Sequence, residues 1–592
     1  MTSVDELFKK PIATGSQKRK LEVATDPNEL YKAAKLGANG DVKNKGKAAM
    51  VEDEAGADED QEAGPELPPD FDPEEDIPED DEEGGRFFGG GMTRQTREAI
   101  EYIDQADEGD VAPEKIDAAW VRKMALNFEK RISKNAEMRA KYENEPQKFM
   151  ASEADLDSDI KSLSILSEHP ELYEEFAKMG SVGSLVSLLS HENTDIAIDA
   201  IQTISELTDE DVQAEQEQWD SLVNAMLDAD IIELLTQNLS RLDEENEADR
   251  SGVYYTLNIL ENLASQTSIA EKIGQDSGMM SWLLSRVQRK ETPVSQNKQY
   301  AAEILAILLQ SSSKNREKFI EMDGVDVVLR LLSAYRKRDP EKDSDEEEYM
   351  ENLFDCLTCL VDEDAGKEKF LEGEGVELAQ IMLREGKLSK QRALRVLDHA
   401  LGGQGGAPAC ERFVEAACLR TAFGMFMRKQ ENETIEHLLG IFSSLLRLLP
   451  GGSAPRIRTL AKFMEKDYEK IERLIKLRRD YASRLAPVEQ AIEREKKALS
   501  LSKEDQEALA AEWLSRRFDA GLFSLQMIDV ILAWLVAEDD GARKKIESLL
   551  ADRDEDLSLV KGTLQEQMEG LGDEEPGERD LRDMLSTLMQ FL

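Results

Sequence analysis

Cysteine and histidine are the residue types in this sequence best able to ligate a metal or attack a substrate. Cys356 and Cys359 form a C-x-x-C pair, but they lie in the apolar run LFDCLTCLV at 353–361. Two small core residues on a helix are the simpler interpretation of that pair. The histidines lack the spacing of metal ligands; they are His169, His191, His399 and His437. The sequence therefore predicts no metal site and no cofactor.

Motifs for catalysis and nucleotide binding are also missing from the sequence. It has no Walker loop, no G-x-G-x-x-G, no H-E-x-x-H and no G-x-S-x-G. The glycine-rich stretch at 402–406 follows a helical segment rather than a strand, so its expected role is to stop a helix. We expect a protein without catalytic residues.

The net charge of the chain indicates which kinds of molecule it can bind. The 592 residues include 74 Lys and Arg against 124 Asp and Glu, a formal charge of −50. Such a field repels nucleic-acid phosphates and anionic membranes, and it attracts basic protein segments. The apolar stretch at 521–537 is interrupted by Gln526 and Asp529 and is short for a membrane span. We therefore expect no direct nucleic-acid binding and no membrane insertion.

Residues 1–92 have too little apolar content to form a core. A basic stretch comes first, and residues 52–83 then hold eighteen acids and no Lys or Arg. This segment is predicted to be a disordered tail, basic and then acidic. Its densest basic cluster is the predicted nuclear-localisation signal, Lys18, Arg19 and Lys20. Helical periodicity follows, and residues 93–160 are expected to form an N-terminal helical cap.

Residues 161–406 repeat at intervals of 46 to 51 residues. Each unit has a Gly or Ala, an apolar helix, a polar break and a second apolar helix; the starts are Gly180, Ala229, Gly278, Gly324 and Gly375. A period of about 40–50 residues is typical of armadillo and HEAT repeats, whose units stack because none can bury its apolar face alone. We predict an all-α, right-handed superhelical solenoid with helical caps at both ends; a plain helical bundle is the alternative.

Residues 407–592 are less regular. The stretches 419–427 and 435–449 are predicted to form a sixth repeat-like helix pair. The charged stretch 457–510 is expected to form long surface helices, within a C-terminal helical region that reaches Leu592.

The last helix of each armadillo unit lines a concave groove. In armadillo importins this groove carries a W-x-x-x-N ladder that grips basic peptides. Here Asn262 takes the ladder Asn position and Asn258 takes the Trp position, so the aromatic half of the ladder is missing. Acids recur along the same line, although Arg395 interrupts it in the fifth unit.

Two interpretations of this acidic line stay open. It could attract Lys/Arg-rich segments, with a site centred on units two to four. Alternatively, the acids only solvate a helix face. The candidate groove residues are Glu206, Asn258, Glu261, Asn262, Glu303, Asp355 and Asp398.

Several stretches, in order and at matching intervals, resemble the beta-catenin-like protein 1 family of nuclear armadillo proteins. They are NFEKR (127–131), PQKFM (146–150), HENTD (191–195), NLSRLDE (238–244), EILAILLQ (303–310), MENLFD (350–355), GEGV (373–376), VLDHA (396–400) and RFDAGLF (517–523). The resemblance implies a nuclear, spliceosome-associated scaffold of the Prp-nineteen complex. It further implies binding to basic, nuclear-localisation-type segments of splicing proteins, with the complex's Myb-related subunit among its partners.

Other functions compete with this one. A nuclear transport receptor for basic cargo should keep the Trp/Asn ladder and an importin-beta-binding arm. A cytoplasmic adaptor like beta-catenin itself should have a basic groove, which is the opposite sign. The sequence leaves the oligomeric state open between a monomer and a homodimer.

Overall fold

The computed structural model describes residues 115–498, 503–571 and 576–592. Every regular element in these ranges is a helix, which confirms the predicted all-α class. The predicted tail at 1–92, with Lys18, Arg19 and Lys20, and the first part of the predicted N-terminal cap lie outside the described residues.

Within the described ranges, two helices precede the repeats. They are α1 (Ala118–Lys141) and α2 (Met150–Ser162). Asp117 caps α1, because its side chain accepts hydrogen bonds from the backbone N–H groups of Ala119 and Trp120. Helix α2 packs on the third helix of the first unit, so the stacking begins before the first complete repeat.

Six three-helix units follow, which is the armadillo pattern. In chain order their helices are α3–α5 (Tyr173–Lys178, Ser181–Ser187, Thr194–Leu207), α6–α8 (Gln216–Asp228, Ile231–Arg241, Glu247–Ala264), α9–α11 (Thr267–Gln275, Ser277–Gln288, Gln296–Ser311), α12–α14 (Ser313–Glu321, Gly324–Leu332, Asp345–Leu360), α15–α17 (Asp364–Glu372, Gly375–Glu385, Leu388–Leu401) and α18–α20 (Ala407–Glu415, Cys418–Phe426, Asn432–Leu448). Short 3₁₀ turns lie at Pro146–Lys148, Leu163–Glu168, Pro170–Leu172, Leu188–Ser190, Ser333–Tyr335 and Gln404–Gly406.

A single left-handed residue joins the first and second helices in five of these six units. These residues are Gly180, Asp230, Asp323, Glu374 and Ala417, with φ between 57° and 79°. Only the first is a glycine, although Gly324 and Gly375 directly follow two of the others. Those two glycines are needed for space, since a Cβ would lie 2.2 Å from the Phe319 ring or 2.3 Å from the Phe370 ring.

The third helices form one continuous row. In units one to four, each begins on a side chain that caps its first turn: Asn193, Asn246, Ser295 and Ser344. Each third helix packs on the next, from α5 through α8, α11, α14 and α17 to α20. Nearly all of the large apolar residues on these helices are buried, so their mutual contact is part of the continuous core.

Polar side chains from the first helix of a unit hold the C-terminal end of the preceding third helix. Arg316 donates to the Leu309 carbonyl oxygen at 2.9 Å. Lys367 occupies the equivalent position and donates to the carbonyl oxygens of Val361 and Asp362 at 2.5 and 3.3 Å. These donors satisfy carbonyls that a helix end leaves without partners.

The C-terminal region extends the row of third helices. Its helices are α21 (Ala454–Ala498, with non-helical backbone at 465–468), α22 (Lys503–Asp519), α23 (Leu522–Glu538), α24 (Asp540–Ala551), α25 (Leu557–Glu569) and α26 (Pro576–Leu588). Helix α23 packs on α20 and is enclosed by α21, α24 and α25.

Helix α21 corrects one sequence-based expectation. The stretch 457–510 is charged, but α21 is not a surface helix throughout. Ile471, Leu474 and Ile475 are buried, and Arg478 forms a buried ion pair with Asp529 of α23. Arginine on the packed face of α21 is what makes a core-facing helix look like a surface one in the sequence.

No single helix in the described ranges is long and apolar enough to cross a membrane. A bent pair, Leu509–Asp519 with Leu522–Glu538, meets that length and composition only when its two helices are taken together.

Candidate functional site on the third helices

The residues with the greatest potential for chemistry serve the core. Cys356 is fully buried, and burial raises the pKa of the Cys359 thiol to about 12. Neither is therefore a thiolate at neutral pH. Gly402 lies just past the end of α17 and donates its N–H to the Asp398 carbonyl oxygen at 3.0 Å. Among the described residues, no three His, Cys, Asp or Glu side chains are arranged to hold a metal ion.

Asn258 is the centre of a buried polar network that joins three units. Its Oδ1 accepts from the Ser205 hydroxyl at 2.6 Å and from Asn262 Nδ2 at 3.2 Å, and its Nδ2 donates to the Tyr300 hydroxyl at 3.3 Å. The Tyr300 hydroxyl donates in turn to Glu261. Burial, and then the Glu261 charge, raise the pKa of Tyr300, so it remains a neutral donor.

Asn258 and Asn262 therefore do not project from the surface of the third helices. They are buried beneath it and hold neighbouring helices together. Each is only 9% exposed, and their amides are used by Ser205, Tyr300 and Thr208. The ladder positions on α8 are thus filled by side chains that hold α5, α8 and α11 together. Glu261 is held by the same network but is partly exposed at its edge.

Among the described residues, Glu206 and Glu303 have only amide partners on this surface. Each is partly exposed and accepts a hydrogen bond from a glutamine one turn earlier, Gln202 at 3.0 Å and Gln299 at 2.8 Å. In the described part of the chain, neither has a Lys or Arg within ion-pairing distance. An amide donor orients a carboxylate without neutralising it, so both acids can still attract a cation.

Tyr255 adds an aromatic ring that the sequence reasoning missed. It is half-buried on α8, and burial together with the nearby charge of Glu206 raises the pKa of its hydroxyl. A ring beside a carboxylate offers a Lys or Arg both a cation–π contact and a charge-assisted hydrogen bond. The adjacent aromatic pair at 254–255 was the available signal. We call Glu206, Tyr255, Glu261 and Glu303 the central acidic surface.

Asp355 and Asp398 differ from the acids of the central acidic surface. Asp355 is paired with Arg395 Nη1 at 3.0 Å, and Asp398 is 3.0 Å from His437 Nδ1. Burial raises the pKa of Asp355, an effect that the Arg395 charge opposes. Arg395 belongs to unit five, but it also interrupts the acidic line in unit four because it pairs with Asp355 there. Glu206 and Glu303, which have no basic partner in the described ranges, lie on units one and three; a binding site centred on units two to four stays a prediction.

Further acid–base pairs join the third helices of units four and five. Arg392 pairs with Glu351, and His399 Nδ1 lies 2.8 Å from Asp362 Oδ1. Together with Asp355 and Arg395, these pairs link α14 to α17 at three levels. Acid–base pairs within the protein therefore hold α14 and α17 together in this part of the row.

Two carboxyl groups share a site at the other end of the row. Asp157 on α2 and Asp199 on α5 are hydrogen-bonded to each other, and Lys161 Nζ lies 2.6 and 3.4 Å from their oxygens. Burial, the hydrogen bond and the charge of Asp157 together raise the pKa of Asp199 to about 7. No sequence pattern indicates this pair, because its partners lie 42 positions apart on different helices.

Asp199→Asn is expected to raise the free energy of unfolding at pH 8 by on the order of 1 kcal/mol and to change it little near pH 4. The folded-state pKa of Asp199 lies above its ordinary value of 3.8. The contribution of Asp199 to the stability of the wild-type protein therefore falls as pH rises between about 4 and 7. Chemical denaturation across this range would show the effect. Asp211→Asn, at an exposed loop position, is the control; a pH-independent effect of Asp199→Asn would contradict the prediction.

Comparison with known proteins identifies the family. The family described as "Catenin-beta-like, Arm-motif containing nuclear" matches residues 97–565. A beta-catenin-like protein 1 homolog of Schizosaccharomyces pombe is 39% identical over 84% of this chain and 86% of its own length. Beta-catenin-like protein 1 of Homo sapiens is 39% identical over 77% of this chain and 83% of its own length.

A designed armadillo repeat protein is among the solved structures that align with part of this chain. It aligns with 45% of this chain and 99% of its own, at 14% identity and a TM-score of 0.34. The family assignment rests on the sequence relatives, which cover most of both chains. This chain belongs to the beta-catenin-like family of nuclear proteins with armadillo motifs.

Proposed function

We propose that this protein is a non-enzymatic scaffold of the nuclear pre-mRNA splicing machinery. In this proposal it binds basic, nuclear-localisation-type segments of splicing proteins through the central acidic surface. Its partners are then components of the Prp-nineteen complex, including the Myb-related subunit. The family's nuclear description and the resemblance of the repeats support the setting.

The observation that carries the proposal is the partnering of the acids. Glu206 and Glu303 accept hydrogen bonds from glutamines, whereas Asp355 and Asp398 face Arg395 and His437. If the acids only solvated a helix face, their partners would have no reason to differ by position. Within the part of the chain that the structure describes, Glu206 on unit one and Glu303 on unit three therefore have no basic partner, whereas Asp355 and Asp398 on units four and five each face a basic side chain.

The geometry of the central acidic surface suits an extended basic segment. Third helices of successive units lie side by side, so their carboxylates are presented at intervals along the row. Lys or Arg side chains of the segment would contact Glu206 and Glu303, and one would lie on the Tyr255 ring. The network around Asn258 holds three helices together before binding, which lowers the ordering cost of association.

Reversing Glu206 and Glu303 to Lys should weaken binding of a basic nuclear-localisation-type peptide by about tenfold or more. The two substitutions replace attraction by repulsion at the two acids that accept hydrogen bonds from glutamine amides. Isothermal calorimetry with the full chain measures the change. The matched control is Asp58→Lys/Glu75→Lys, which makes the same charge change in the acidic segment at 52–83. Equal losses in both variants would show that only net charge attracts the peptide.

Two further measurements sharpen this test. Asp355→Asn should weaken peptide binding less than Glu206→Gln, because Asp355 is already paired with Arg395. Added salt should weaken wild-type binding, since the Debye length falls from about 10 Å at 0.1 M to about 3 Å at 1 M. A larger loss for Asp355→Asn would move the site towards unit four.

The splicing assignment is tested separately by affinity purification from nuclear extract with mass spectrometry. We expect splicing components to copurify with the wild-type chain and to be reduced with Glu206→Lys/Glu303→Lys. Recovery of import factors without splicing components would favour the transport receptor instead. Against that alternative, the ladder position of Asn258 is occupied by an amide with intramolecular partners.

Replacing Lys18, Arg19 and Lys20 together by Ala is expected to reduce nuclear accumulation severalfold. A protein of 66.5 kDa needs a signal for efficient entry, and these residues form the densest basic cluster of the N-terminal segment. A fluorescent fusion followed by microscopy measures the nuclear-to-cytoplasmic ratio. Replacing Lys43, Lys45 and Lys47 is the matched control. Unchanged accumulation would place the signal elsewhere or on a bound partner.

A further inference from the structure

A group of cations lies where unit six meets α21. Arg428, Lys429 and Lys476 are exposed, and no carboxylate in the described residues pairs with them. Arg473 and Arg484 flank Lys476 on α21. We call these five residues the basic patch.

The two arginines of α21 are held in place. Arg473 donates to the Arg428 carbonyl oxygen at 2.8 Å, and its guanidinium lies 5.4 Å from the centre of the Phe426 ring. Arg484 donates to Asn432 Oδ1 at 3.2 Å and lies 5.1 Å from the centre of the Tyr481 ring. Through these contacts α21 packs against the connection between α19 and α20. The five cations therefore lie on one surface. A guanidinium fixed in this way needs little ordering to bind a carboxylate.

The surrounding acids do not cancel the basic patch. Asp480 lies on the same face of α21, so it offsets one of the five positive charges. Among the described side chains, Glu431 accepts only from the Gln391 amide, so it offsets a second positive charge, whereas Glu472 pairs with Lys545 on α24. The chain has 124 acids for 74 bases, so a group of cations without carboxylate partners is unusual here. The patch therefore keeps a net positive charge on a strongly acidic protein.

We propose that the basic patch binds an extended acidic segment of a partner protein, separately from the central acidic surface. The distance along α21 from Arg473 to Arg484 is about 16 Å, which an extended chain of about five residues spans. Planar guanidinium groups at both ends match carboxylates.

An acidic peptide fits the basic patch better than a nucleic acid does. Binding of single-stranded nucleic acid uses exposed rings on which bases stack. Here Phe426 and Tyr481 are buried, and guanidinium groups lie beside their rings. A long polyanion would also extend over the acidic remainder of the chain, where it is repelled, whereas a short peptide would not.

Lys429→Glu/Lys476→Glu in the full chain should weaken binding of a labelled peptide of about five glutamates by tenfold or more. Neither lysine has a side-chain partner in the described residues, so the folded state should be unchanged. Fluorescence anisotropy at low salt measures the affinity. Lys290→Glu/Lys387→Glu makes the same charge change at exposed positions outside the basic patch, and it should cost less than about threefold.

Several results would overturn this proposal. Equal losses in the two double variants would show that only net charge attracts the peptide. Tighter binding of a single-stranded RNA of similar charge, lost in the same patch variant, would make the patch a phosphate-binding surface. Glu206→Lys/Glu303→Lys should not weaken binding of the acidic peptide, and a loss there would show that the two surfaces are not independent.

Discussion

Arg478→Met is expected to lower the free energy of unfolding of the C-terminal region by about 3–5 kcal/mol. Asp529 is completely buried in α23, and Arg478 satisfies both of its oxygens, with Nε to Oδ1 at 2.7 Å and Nη2 to Oδ2 at 3.1 Å. Removing the guanidinium leaves a carboxylate in an apolar environment without a cation. Guanidinium denaturation followed by tryptophan fluorescence measures the change; two of the five tryptophans, Trp513 and Trp534, lie in this region.

A double substitution separates charge from packing in this pair. Arg478→Met/Asp529→Leu removes both charges and should recover most of the stability, because the desolvation cost of the pair is also removed. Lys476→Met, two residues away and exposed, should change stability by less than about 0.5 kcal/mol. A double variant no more stable than the single one would mean that Arg478 acts mainly through its packing.

Gly366→Ala is expected to destabilise the protein by at least about 3 kcal/mol, since it overpacks backbone against backbone. A Cβ at Gly366 would lie 1.8 Å from the Leu360 carbonyl oxygen and 2.7 Å from its carbon. No side-chain rotation can relieve this contact, so α15 would have to move away from the end of α14. Thermal denaturation followed by circular dichroism measures the change.

The control for Gly366 is another helical glycine with open space around it. A Cβ at Gly424 in α19 meets no atom within 4 Å. Gly424→Ala should therefore be neutral or stabilise the protein by up to about 1 kcal/mol, because alanine loses less backbone entropy on folding. Similar destabilisation by both substitutions would show that steric contact is not the cause at Gly366.

The repeats could be predicted from the sequence because their signals are local. The apolar spacing and the capping residues of a helix lie within one short segment of the chain. The sequence therefore predicts helices close to α5, α8, α11, α14 and α17. The domain boundaries stay predictions. The role of the repeat glycines was harder to predict: Gly324 and Gly375 start their helices as expected, but the reason is the ring of Phe319 or Phe370, five residues earlier.

The candidate site was less predictable because its chemistry depends on pairing between units. A helical phase shows that Asp355 and Glu303 lie on one line, but not that Arg395, forty residues further on, pairs with Asp355. Likewise, the phase gave Asn258 and Asn262 correct positions on the row without showing that they are buried. Contacts between residues about one repeat apart decide which acids have a basic partner.

The links between neighbouring third helices have a mechanical consequence. Helices α5, α8 and α11 are joined by neutral amide and hydroxyl hydrogen bonds around Asn258, whereas α14 and α17 are joined by acid–base pairs. Ions in solution screen charge pairs at a partly exposed surface but hardly affect buried neutral bonds. The row of third helices therefore has two stretches that should respond differently to ionic strength. We expect the contacts among α5, α8 and α11 to persist as ionic strength rises, while those between α14 and α17 weaken.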